Sequence, residues 1–83
     1  MRKEEIWAVA SEQVEMFFRG QPDVEPTEQG FRFGGCCIAL TALPQRGEGF
    51  WRTPQTKVTM EGPEADLTTI YRRFFVQFLS AGG

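Results

Sequence analysis

Residues 31–40 read FRFGGCCIAL, two glycines followed by two cysteines inside the most apolar run of the chain. A short run rich in Phe, Ile and Leu reads as a strand, in which successive side chains alternate between faces. Simple alternation gives a conflict here: Phe31 and Phe33 share a face with Cys37 and Ala39, while Ile38 and Leu40 point the other way with Arg32. One extra residue at Gly34-Gly35 removes it. A β-bulge there shifts the later register, so that Phe31, Phe33, Cys36, Ile38 and Leu40 line one face and Arg32, Cys37, Ala39 and Thr41 the other. Glycine suits a bulge because it reaches positive φ without steric cost.

The flanking segments supply the rest of the fold. Residues 3–19 place Ile6, Ala10, Val14, Phe17 and Phe18 at helical spacing, with Glu5, Glu12, Glu15 and Arg19 on other faces and Gly20 as a C-terminal cap. This predicts an amphipathic helix. The stretch QPDVEPTEQG that follows reads as a loop. PQRGEG, residues 44–49, predicts a hairpin loop, FWRT a short strand, and QTKVTME a strand with Thr56, Val58 and Met60 on its buried face. Pro54 cannot donate to a ladder, so it divides two strands or sits at a sheet edge. The end of the chain carries a strong helix signal: Pro63 at the first helical position, Glu64 and Asp66 in the first turn, and an apolar stripe of Leu67, Ile70, Tyr71, Phe74, Phe78 and Leu79. The expected fold is α+β, a two- to three-stranded antiparallel sheet with the N- and C-terminal helices packed on one face.

At 83 residues the chain is a single domain, 1–83, because so short a polymer cannot build two cores. It is 41% hydrophobic and 24% charged, an ordinary globular balance, with eight Phe, two Trp and one Tyr. No run approaches the ~18 apolar residues of a membrane span, and the N-terminus leads into an amphipathic pattern instead of a signal sequence. Two adjacent cysteines make no disulfide framework, since a bridge between neighbours closes almost no loop. The expectation is a cytoplasmic protein with no membrane partner.

The composition also excludes chemistry. There is no histidine, which removes Ser-His-Asp and Cys-His nucleophile activation and His-ligated zinc. No phosphate-cradling glycine motif occurs. Adjacent cysteines on a strand point to opposite faces and fall short of four metal donors, so no metal site is expected. Cys36 and Cys37 read as small packing residues; a thiol-dependent function is the weakest alternative. The carboxylates of both helices read as solvated or helix-end charges, without the burial that general acid work needs. No catalytic residue and no cofactor is expected.

What remains is surface. Phe50 and Trp51 are neighbours in a strand and cannot both face the helices. The sheet face opposite the helices is then expected to present Cys37, Ala39, Thr41, Thr59, Lys57, Arg32 and one of those rings, as a small, weakly basic, partly apolar surface. The leading expectation is a non-enzymatic protein-protein interaction module, self-associating as a homodimer, with Trp51, Phe50, Arg52, Arg32 and Lys57 as the contact residues. The alternative is a nucleic-acid or anion binder using the same face with the Arg72/Arg73 pair. Arginines do stand beside aromatics in FFRG, FRF, FWR and YRRFF, although alternation alone produces that pattern.

Overall fold

The structure, a computed structural model, describes residues 1–47 and 53–82. Its elements are β1 (Arg2–Trp7), α1 (Ser11–Arg19), β2 (Glu25–Pro26), β3 (Gly30–Phe33), β4 (Cys36–Arg46), β5 (Thr53–Glu61) and α2 (Glu64–Gly82). The class is α+β. The sheet has five antiparallel strands in the order β1-β5-β4-β3-β2, where two or three were expected. β1 and β2 were read from the sequence as helix and loop, and the single strand expected over residues 31–43 is two, β3 and β4.

β1 replaces the first turns of the expected N-terminal helix. Helical spacing placed Ile6 in the core, yet Ile6 is 59% exposed and pairs with Lys57 of β5. The residues of β1 that alternate inward are Lys3, Glu5 and Trp7, all half-buried. Two of those three are charged, so the period-two signature of a half-buried strand is absent from the hydrophobicity pattern. The helix begins only at Ser11. It buries Val14 and Phe18, and Gly20 closes it by donating to the carbonyls of Met16 and Phe17.

Gly34-Gly35 is not a bulge. Phe33 pairs directly with Cys36, so the two glycines are the central residues of a β3–β4 hairpin. Gly34 has φ 56° and Gly35 no positive φ, the pattern of a type II′ turn, whose twist matches that of the flanking strands. The division of faces survives for a different reason. A bulge and a two-residue reversal both put Phe33 and Cys36 on one side, because residues directly opposite each other in a hairpin share a face. The true irregularity lies at the far end of β4, where the register shifts between Leu43 and Arg46 opposite Thr53–Gln55. Pro44 and Pro54 both fall in that stretch. Neither can donate to the ladder, and a bulge is where the ladder is already interrupted. Pro54 therefore sits inside β5 and does not divide it.

The core is one cluster that joins Val14 and Phe18 of α1, Leu67, Ile70, Phe74 and Phe78 of α2, and Phe31, Cys36, Ile38, Val58 and Met60 of the strands. Aromatic rings supply much of its volume. Phe18 stacks on Phe74 at 5.8 Å with a 7° interplanar angle and tilts onto Phe31 at 5.5 Å. Each such ring, fully removed from water, contributes about 1.5–3 kcal/mol. The buried hydroxyl of Thr56 donates to the Val9 carbonyl at 2.7 Å, which ties the β1–α1 connection to β5 without an unpaired polar group. Leu79, assigned to the apolar stripe, is 53% exposed; the stripe ends at Phe78, 5% exposed.

Candidate functional site

The face of the sheet that points away from that core is formed by alternate residues of all five strands, and the register fixes which of them are neighbours. At one end Arg2 of β1 lies opposite Glu61 of β5, which lies opposite Cys37 of β4, then Arg32 of β3 and Glu25 of β2. The next row holds Glu4, Thr59, Ala39 and Gly30; the next Ile6, Lys57 and Thr41. All of these are exposed or half-buried. The sequence brought Arg32, Cys37, Ala39, Thr41, Lys57 and Thr59 to one side, and the structure does the same.

The charge of this face differs from the expectation. Among the described residues Arg2, Arg32 and Lys57 are matched there by Glu4, Glu25 and Glu61, so the part of the surface they form is balanced and not weakly basic. Glu4, Glu25 and Arg2 enter through the two strands that the sequence reading missed. The charges pair along the surface: Arg32 with Glu25 at 2.7 Å, Lys57 with Glu4 at 3.7 Å, and Arg2 with Glu4 at 3.5 Å and Glu61 at 3.9 Å. Thr59 donates its hydroxyl to Glu4 at 3.3 Å. Between these pairs lies a centre of small uncharged residues, Cys37, Ala39, Thr41 and Thr59. Exposed ion pairs of this kind add little stability, about 0–1 kcal/mol each, but they determine which charges a partner meets.

The proposed contact residues Phe50, Trp51 and Arg52 lie outside the described residues. Arg72 and Arg73 are differently engaged. Arg73 donates to Asp23 at 2.9 and 3.1 Å, and its guanidinium lies 5.2 Å from the centre of the Phe33 ring. The hydrogen bond from Arg73 holds the Asp23 carboxyl below the usual carboxylate range. Arg72 is exposed on the adjacent part of the helix.

The two cysteines separate completely. Cys36 is fully buried in the core, where burial pushes its thiol pKa up, and Cys37 is exposed on the second face. Among the described residues no group of three or more Cys, Asp or Glu side chains is arranged to hold a metal ion, and no helix is long and apolar enough to cross a membrane.

A second polar cluster, not foreseen from the sequence, lies on the helix side of β1. Glu5 Oε1 accepts hydrogen bonds from the Tyr71 hydroxyl at 2.7 Å and the Trp7 indole N–H at 3.2 Å. The Lys3 ammonium sits 4.2 Å from the centre of the Tyr71 ring. Burial, reinforced by the Glu5 carboxylate, pushes the Tyr71 phenol up to about 12. The cluster joins β1 to α2 beside the edge contacts of the Trp7 ring with Phe74 and Phe75, whose centres lie 5.0 and 5.9 Å away. Its only sequence signal is the period-two series Lys3, Glu5, Trp7, which becomes meaningful once Tyr71 is known to stand above it.

No family model matches the chain, and no curated protein or solved structure is significantly similar to it.

Proposed function

We propose that the protein is a non-enzymatic interaction module of the cytoplasm that uses the second face of its sheet to occupy the surface of a protein partner. In this reading both helices cover the same side of the sheet and leave the opposite side to the partner. The supporting observation is the layout of that opposite side. Its centre of Cys37, Ala39, Thr41 and Thr59 is uncharged, and its ionised residues stand around that centre already paired. Interfaces follow the same anatomy, with charge depleted at the core and retained at the rim. Arg32 and Lys57 belong to its rim. Nucleic acid is a poorer fit, because the phosphate backbone needs unpaired cations and Arg32, Lys57 and Arg73 each have a carboxylate partner. The cytoplasmic location rests on the two unpaired cysteines.

Site-specific photocrosslinking in cells tests the reading. A crosslinker in place of Thr41 is expected to give protein adducts that a crosslinker in place of Thr68, exposed on α2, does not. Ala39→Arg is expected to abolish them. Adducts to nucleic acid alone, or equal protein labelling from both positions, would contradict it.

A further inference from the structure

The two edges of the sheet are not alike. β2 is only two residues long and one of them is Pro26, so that edge offers no N–H there and little length to a second chain. The β1 edge is six residues long. Its ladder to β5 also shows which backbone groups are free. Met1 and Gly62 exchange both hydrogen bonds, at 3.1 and 3.0 Å. Hydrogen-bonded pairs alternate in an antiparallel ladder, so Lys3, Glu5 and Trp7 are the residues bonded to β5. The N–H and C=O groups of Arg2, Glu4 and Ile6 therefore point away from the sheet.

We infer that this edge is a self-association site, where β1 of a second copy adds antiparallel to form a continuous ten-stranded sheet. The occupant is fixed by charge. β1 begins Arg2-Lys3-Glu4-Glu5, so an antiparallel two-fold pairing can set its Lys3 against Glu5 of the other copy. Two-fold symmetry perpendicular to the sheet requires paired residues to share a face. The register that centres Glu4 on its own copy meets this condition. It sets Arg2 opposite Ile6 of the second copy, and all the groups that then bond are those pointing outward.

In the same register Lys3 lies opposite Glu5 of the second copy, twice by symmetry, in the non-hydrogen-bonded positions where side chains approach most closely. Glu5 uses Oε1 for both Tyr71 and Trp7, leaving Oε2 for that ammonium. The two central Glu4 carboxylates are each flanked by Arg2 and Lys57 of their own chain. Ile6, 59% exposed, gains the aliphatic stem of the opposing Arg2. Phe75, 38% exposed and 5.9 Å from the Trp7 ring, lies on the same margin.

A single strand-to-strand contact is smaller than the ~1,200–2,000 Å² of stable interfaces, so the dimer is concentration-dependent. It would double the length of the sheet face proposed above, yet it stands whether or not that face has a partner.

Charge exchange tests it by sedimentation velocity on the full chain. Lys3→Glu sets Glu against Glu across the symmetry axis, and Glu5→Lys sets Lys against Lys. Each variant alone is expected to be half dissociated at about tenfold higher protein concentration than the parent, a tenfold weaker self-affinity. The mixture is expected to recover, because both cross-strand pairs are again opposite in charge. Ile6→Pro removes an outward N–H while leaving the β5 ladder intact, and is expected to give a monomer with unchanged circular dichroism. A strict monomer at millimolar concentration would overturn the inference. So would a dimer that Ile6→Pro leaves intact, or a mixture no tighter than its components. A dimer broken by Ala39→Arg but not by Ile6→Pro would assign self-association to the sheet face instead.

Discussion

The Asp66 carboxylate accepts a 2.9 Å hydrogen bond from the backbone N–H of Gly35, a residue 31 positions earlier in the chain. The first turn of α2 is thereby fastened to the β3–β4 turn. Contact there is tight: a methyl group on Gly34, whose φ is 56°, would lie 2.8 Å from Asp66 Oδ2, and one on Gly62 would lie 2.5 Å from the Gly35 carbonyl oxygen. The pair of glycines that dominated the sequence is a docking point for the second helix.

Substitutions at this junction are expected to rank by what they must displace. Asp66→Ala loses one hydrogen bond to an exposed turn and should cost about 1 kcal/mol in urea unfolding. Gly34→Ala adds left-handed strain to a clash with a movable carboxylate, about 1–3 kcal/mol. Gly62→Ala meets backbone on both sides, Gly35 oxygen and the Cys36 Cα at 2.6 Å, and should be the most damaging of the three. An ordering with Asp66→Ala worst would contradict the packing described.

Tyr71 gives a pH prediction with a definite sign. Its phenol is raised to about 12 first by burial and then by donation to Glu5, against ~10 in an unfolded chain. A group raised in the folded state stabilises the fold fully below its unfolded value and loses that contribution as pH rises through the folded one. Stability should therefore fall between about pH 10 and 12. Ultraviolet titration should place the tyrosinate midpoint near the upper value, and Glu5→Gln should lower it.

The thiols should behave as two different groups. Under native conditions a disulfide-exchange reagent should label Cys37, exposed on the sheet, while Cys36 reacts only after unfolding. Cys37→Ser should leave stability within about 0.5 kcal/mol of the parent. Rapid labelling of both thiols would contradict the assigned faces.

Asp23 is held below 3.8 chiefly by its hydrogen bond from Arg73. A depressed carboxylate stabilises the fold above its unfolded value, and that contribution is lost as pH falls through the folded one. Carbon-detected NMR titration should show Asp23 ionising below 3.8 in the parent and close to it in Arg73→Ala.

The parts of the fold legible in the sequence are those whose buried residues are apolar. Leu67, Ile70, Phe74 and Phe78 announce α2, and Val58 and Met60 alternate cleanly in β5. β1 was illegible because its inward positions are Lys3 and Glu5, satisfied by a tyrosine 66 residues from Glu5. β2 is too short to carry any period. The second face was legible in β3, β4 and β5, since a bulge and a reversal give the same parity. Its charge was not, because half of its carboxylates and cations arrive through β1 and β2. Leu79 fits the helical stripe, but periodicity does not reveal where the sheet beneath a helix ends.

Both the surface and the edge depend on β1 being a strand. Residue-resolved amide hydrogen exchange at low protein concentration tests this directly. Slow exchange at Lys3, Glu5 and Trp7, alternating with fast exchange at Arg2, Glu4 and Ile6, is the expected pattern. Continuous protection from Ile6 through Ala10 into the helix at Ser11 would show a longer helix there, and with it the loss of the fifth strand and of the proposed contact edge.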